Sequence, residues 1–295
     1  MRQKQEPDIS FKILILGDRA VGKTTLLQKF VNELDPDCYY ATCGVDQKLN
    51  SLRIFNKQIN LKIWDATGDP TLWNLVKRYL PDTNSALICF DVTNPFSLNN
   101  VRAYVEKLRE VQPNVPIMLI GCKSDLTHRR MVSVVQAQQM AQQLGIAYLE
   151  TSGLKKNNVD ETFIQITQRM YFAVMLHNIR PTLEKYFNNY LNNSSNPISK
   201  REITLKKEWT LLFGHLFRAT SPDELNDFFK ATLSIINKAD ALFAKKHPIW
   251  SSITASPLSL TLKKILSALD TLQKSFQKEL NINESEPLSD TSLTL

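Results

Sequence analysis

Long apolar runs are missing from this sequence. No stretch approaches the roughly 20 consecutive apolar residues that a membrane-spanning helix needs. Residues 1–10 are polar and lack the apolar core of a secretory signal. Cysteine is scarce, with four in 295 residues (Cys38, Cys43, Cys89, Cys122). Their spacing matches no zinc or disulfide pattern, which predicts reduced thiols and a cytoplasmic chain. The sequence ends Thr-Leu rather than in a prenylation box, so no lipid anchor is expected. His128, His177, His215 and His247 are scattered and suggest no metal site. A long basic block is also missing. The net charge of +7 is spread along the chain, which argues against nucleic acid as a partner and for a mixed, solvated surface.

What is present is a globular composition, 43% hydrophobic and 22% charged. Short apolar runs at 11–17 (FKILILG), 59–65, 85–91, 116–121 and 146–150 read as buried strands. Helical spacing falls between them, at 23–33, 72–79, 98–111, 133–144 and 158–177. This alternation predicts an α/β fold whose mainly parallel sheet is covered on both faces. The alternating stretch 48–55 (KLNSLRIF) predicts an edge strand, paired with 58–65 through a turn at Asn56-Lys57.

After residue 178 the pattern becomes all-α. A polar linker, NNSSNP, occupies 192–197. A helix over 199–218 follows. Ser221 and Ser256, each followed by Pro, read as helix N-caps. The last helix carries a 3.6-period stripe from Leu258 to Leu280. Trp209, Phe213, Phe228, Phe229 and Phe243 read as core of this part. Lys263, Lys264, Lys274 and Lys278 read either as a solvated bundle face or as a peripheral membrane-binding one. The expected organisation is therefore 9–178 as an α/β domain, 179–281 as a helical extension and 282–295 as a disordered tail.

The strongest motif is GDRAVGKT at 17–24, which fits G-x-x-x-x-G-K-[ST] directly after a strand and before a helix. Such a loop bends round phosphates and points backbone amides at them, here from Ala20, Val21 and Gly22. Lys23 would reach the β- and γ-phosphates, and the Thr24 hydroxyl would ligate Mg²⁺. The following helix adds the positive end of its dipole. Asp65, at the end of another strand, can hold the same Mg²⁺ through water.

Two later segments, IGCKSDL at 120–126 and LETSG at 149–153, resemble the guanine-reading [NT]KxD and ETSA segments of the Ras superfamily. ATCGVDQK at 41–48, NLKIWD at 60–65 and FDVTNPFSLNNV at 90–101 are similar to Rab sequences in particular. The likeness covers about 9 to 173. It implies a P-loop small-GTPase fold that binds GTP/GDP with Mg²⁺ and hydrolyses GTP. Asp125 would then accept from the guanine ring N–H and amino group, and the Lys123 stem would lie along the base. The Ser152 and Gly153 backbone would donate to the guanine oxygen. Thr25 would line the phosphate site beside Thr24. Thr42 would bind Mg²⁺ and the γ-phosphate, and the Gly68 N–H would sense that phosphate. The implied partners are effector proteins of the GTP state and exchange or activating factors, on vesicle traffic.

The resemblance breaks at specific positions. Asp69 replaces the Gln that orients the attacking water, and Pro70 the acid after it. Arg19 stands where the family has a small residue. Its bulk would crowd the water site, or its charge would serve the transition state in cis. Cys122 replaces the Asn of the base-reading segment, Leu154 replaces a Lys, and Asp35 falls where relatives place an aromatic over the guanine. Gln47 removes an apolar anchor for Rab partners. Asp69 and Arg19 are thus the catalytic candidates, and slow hydrolysis is the expectation. A nucleotide-binding scaffold without hydrolysis is the alternative. The acidic, hydroxyl-rich tail is similar to C-terminal signals of type IV-secreted bacterial effectors, which would place the chain inside a host cell. A plain disordered tail is the other reading.

Overall fold

The computed structural model describes residues 9–31, 44–54 and 57–192, and scattered helical positions between 207 and 275. Thr42, Asp35, Cys38, Cys43, the 192–197 linker beyond Asn192, the expected helix starts at Ser221 and Ser256, and the 282–295 tail lie outside these. The chain divides into two compact units, residues 1–170 and 171–295.

In the first unit the elements run β1 (Ile9–Leu16), α1 (Lys23–Phe30), β2 (Val45–Ile54), β3 (Lys57–Ala66), a short α2 (Trp73–Val76), β4 (Ser85–Asp91), α3 (Pro95–Asn99), α4 (Val101–Val111), β5 (Ile117–Cys122), α5 (Val134–Leu144) and β6 (Ala147–Glu150). The unit boundary falls within α6 (Val159–Asn192). The described strands form one sheet in the order β2-β3-β1-β4-β5-β6. All neighbouring pairs are parallel except β2 with β3. The fold is thus the α/β small-GTPase fold that the sequence predicts.

Burial explains the order. Every residue of β4 and β5 is buried, because helices cover both faces of these central strands. β2 alternates between half-buried and exposed positions, as an edge strand does. α5 begins in a reciprocal capping box between Ser133 and Gln136 and ends at Gly145 in the left-handed conformation. The hydrophobic core includes Leu14, Ile88, Phe90, Val105 and Leu119. Because β1, β3, β4, β5 and β6 run the same way, the loops after four of them (17–22, 67–69, 123–126 and 151–154) lie at the same edge. That edge, beside the strand where connections reverse direction, is where open α/β sheets bind ligands.

In the second unit the described positions are helical. Phe228, Thr232 and Ile235 are buried, as are Ile265 and Leu269, while Asp227, Lys230, Ser234, Lys264 and Asp270 are exposed. This is the one-sided burial of amphipathic helices. On the exposed side Lys274 pairs with Asp270 at 2.7 Å. No described helix is long and apolar enough to cross a membrane.

Candidate nucleotide-binding site

The 17–24 loop closes over the end of β1 through three residues with positive φ, Gly17 (+137°), Ala20 (+62°) and Gly22 (+114°). A Cβ at Gly22 would sit 3.1 Å from Cys122 Cβ, so both the backbone angle and the space call for glycine. Ala20 carries strain of about 1 kcal/mol, the kind that loops at functional sites retain. No side chain caps the start of α1. Its first N–H groups are left facing the loop, a ready anion site.

Lys23 is buried, and its Nζ donates to the carbonyls of Gly17 (2.9 Å) and Asp18 (2.7 Å). Burial pulls its pKa below the usual amine value, against the opposing pull of Asp65. A buried ammonium is stabilised by a nearby anion, and a phosphate fits that need. The Thr24 hydroxyl donates to Asp65 Oδ2 at 2.5 Å, and Asp65 is 1% exposed. A hydroxyl and a carboxylate, both hard oxygens and both beside the loop lysine, are a donor set that fits Mg²⁺.

A pocket of about 200 Å³ opens beside the loop, lined by Gly22, Thr25, Lys123, Asp125, Gly153 and Leu154 among others. Asp125 Oδ1 accepts from the Ser152 hydroxyl at 2.6 Å. Backbone bonds from Ser124 N–H to the Thr151 carbonyl (3.1 Å) and from Thr151 N–H to the Gly121 carbonyl (2.8 Å) lock the two segments together. The backbone thus carries the tie between them. Cys122 itself is buried, with the Thr151 hydroxyl 4.0 Å from its sulfur. Hydrogen bonding to Cys122 and burial push the Cys89 thiol well up, so Cys89 is held as the unreactive thiol.

Some details differ from expectation. The Ser152 N–H is used by the Asn157 carbonyl at 3.0 Å. A guanine oxygen here would rely on the Gly153 N–H. The Thr25 side chain lines this pocket, and a Cβ at Gly153 would lie 3.0 Å from its Cγ2. Lys123, at φ +64°, has its Nζ 2.6 Å from Asp91 Oδ2. The other Asp91 oxygen holds the N–H and hydroxyl of Thr93 at 2.8 and 2.7 Å.

On the phosphate side, Gly68 packs on the loop backbone. A Cβ there would fall 2.3 Å from both Arg19 N and Asp18 C. Asp69 faces its own turn. Its Oδ1 accepts from the Thr71 N–H (2.9 Å) and hydroxyl (2.7 Å), capping a 3₁₀ turn that starts at Pro70. These bonds, the hydroxyl's first, hold the carboxyl below its ordinary value, with a smaller contribution from the Arg19 charge. Arg19 is exposed.

Sequence reasoning missed Asp18, Asn100 and Tyr104. Asn100 Nδ2 donates to Asp18 Oδ2 (2.8 Å) and the Tyr104 hydroxyl to Asp18 Oδ1 (3.0 Å). Only the position of Asp18 inside the loop motif hinted at a role. On the outer sheet, Gln47 pairs across strands with Trp64, and Trp64 stacks at a tilt on Tyr79, 4.8 Å between centroids. Lys12 Nζ lies over both rings, at 5.5 and 5.6 Å.

A phosphate loop with its buried lysine, a Thr-Asp oxygen pair and an adjoining pocket lined by an aspartate are the marks of a P-loop nucleotide-binding switch. The Ras family model matches residues 12–172, and the chain belongs to that family. It is 37% identical over 163 residues to Ras-related protein RABD2b of Arabidopsis thaliana, covering 55% of this chain and 81% of that one. RABD2c of the same plant matches to the same extent. The first unit is therefore a Rab-like small GTPase domain, a GTP-binding switch. Members of the family bind guanine nucleotide, generally with Mg²⁺, and work through effectors and regulators.

Proposed function

We propose that this chain holds GTP or GDP with Mg²⁺, hydrolyses GTP slowly on its own, and signals its state to proteins of vesicle traffic. Asp125 would read the guanine edge, Lys123 would flank the base, and Lys23 with the loop amides would hold the phosphates. Thr24, Asp65 and Thr42 would hold Mg²⁺, which when bound neutralises phosphate charge.

The observation that carries slow hydrolysis is the state of Asp69. Its carboxylate is engaged twice by Thr71. A group so tied within its own turn is poorly disposed to orient an attacking water. Arg19 adds bulk at the loop, and no hydrogen bond or ion pair among the described residues aims it. The face built from Trp64, Tyr79 and Gln47 supports a partner set different from one that needs an apolar residue at 47.

Single-turnover hydrolysis by the full chain loaded with GTP tests this. Asp69→Gln should hydrolyse faster than the wild type, and Arg19→Ala should be no slower. A slower Arg19→Ala would make Arg19 a catalytic group in cis. A wild-type rate equal to that of Asp69→Gln would remove the argument from Asp69. Complete absence of turnover with nucleotide bound would favour the scaffold reading, in which the Asp69 cap has replaced hydrolysis.

A further inference from the structure

Tyr104 lies on α4, away from every segment that the sequence ties to nucleotide. Its hydroxyl nevertheless donates to the phosphate-loop residue Asp18 at 3.0 Å. Asn100, at the junction of α3 and α4, holds the other carboxylate oxygen at 2.8 Å. Both oxygens of Asp18 are thus gripped from one side. The carbonyl of the same residue accepts from Lys23 Nζ at 2.7 Å. The Tyr104 ring meets Trp73 of α2 edge-on, at 6.2 Å and 63°. Lys107, one turn further along α4, lies 4.5 Å over the Trp73 ring. α2 follows the Gly68–Asp69 segment after the 3₁₀ turn at Pro70–Leu72, and that glycine already abuts Asp18 and Arg19.

We infer that Tyr104 is a positioning residue that couples the second switch to the phosphate loop. One side of its ring reads where Trp73 stands. Its hydroxyl fixes the peptide that anchors the phosphate lysine. A shift of α2 moves Trp73 off the ring and loads the bond to Asp18. A shift of the loop does the reverse. Burial together with the Asp18 charge pushes the phenol above its ordinary pKa, so it remains a donor throughout the neutral range. The coupling is carried by contacts between packed rings and one charge-assisted hydrogen bond. It rests on the reading of this site as a guanine-nucleotide site.

Release of a fluorescent GDP analogue from the full chain in Mg²⁺ tests the coupling. Tyr104→Phe keeps the ring and removes only the hydroxyl. Loss of one hydrogen bond to a charged acceptor should speed release about tenfold, with little change in the thermal midpoint. Trp73→Leu should also speed release, although it touches no loop atom in the contacts above. In the Tyr104→Phe background the Trp73→Leu change should add less than about twofold, the mark of a shared route. Lys107→Ala, a surface change that carries little folding risk, should speed release modestly in the wild-type background and hardly at all with Tyr104→Phe. Wild-type release rates in Tyr104→Phe would overturn the inference, and so would fully additive effects. A wild-type chain that binds no guanine nucleotide would instead sink the site reading itself, before any variant is compared.

Discussion

Replacing Gly68 by alanine puts a methyl group where the loop backbone already is. The added carbon would lie 2.3 Å from Arg19 N and Asp18 C and 2.5 Å from the Asp18 carbonyl oxygen. Ordinary contact between such atoms begins near 3.5 Å, so one segment must retreat by about 1 Å. The neighbours are main chain and cannot rotate away. The cost therefore belongs at the upper end of overpacking, about 3 kcal/mol. Displacing Gly68 relieves it, and that moves the N–H assigned to the γ-phosphate. Binding of GTP should suffer more than binding of GDP, by up to about 100-fold in relative affinity. Fluorescent GDP and a non-hydrolysable GTP analogue, titrated on wild type and Gly68→Ala, measure this directly. An unchanged ratio of the two affinities, with an unchanged thermal midpoint, would refute the argument from close approach.

The Thr25–Gly153 pair makes a second prediction. Gly153→Ala brings its methyl to 3.0 Å from Thr25 Cγ2 and 3.2 Å from the Thr25 backbone, and should weaken GDP binding several-fold. Thr25→Ala should restore part of that loss in the double variant, and titration of all four combinations reads the coupling. The Asp69 cap makes a third. Its carboxyl is held below the usual value by Thr71, so the cap is present at neutral pH and lost only as pH falls through the lowered pKa. The Thr71 amide resonance should therefore titrate with a midpoint below the ordinary aspartate value, and a midpoint at or above it would contradict the cap.

Much of this architecture is legible along the chain because its determinants are local. β4 and β5 are continuous apolar runs since both faces are covered, and β2 alternates because it is an edge. The 72–79 stretch, read as one helix, is a 3₁₀ turn, a four-residue helix and another 3₁₀ turn. Asp69 and Pro70 impose that start, and periodicity is blind to it. The 98–111 stretch is two helices meeting at Asn100. α6 continues to Asn192 with Pro181 inside it. The phosphate loop and base-reading segments are short and contiguous, so spacing reveals them. Asp18 with Tyr104, and Asp91 with Lys123, are joined only by folding, across 86 and 32 positions. No local pattern announces such pairs. The cap that occupies Asp69 is the intermediate case: Asp-Pro-Thr is a readable turn, but the family resemblance drew attention to what the residue had replaced.

The central claim is that Lys23, Thr24, Asp65 and Asp125 form a working guanine-nucleotide site. The direct measurement is the nucleotide content of the purified full chain, with release followed after Mg²⁺ is chelated. The account predicts near-stoichiometric guanine nucleotide, no adenine nucleotide, and much faster release without Mg²⁺. A chain that carries none and fails to bind added GDP in Mg²⁺ would contradict it.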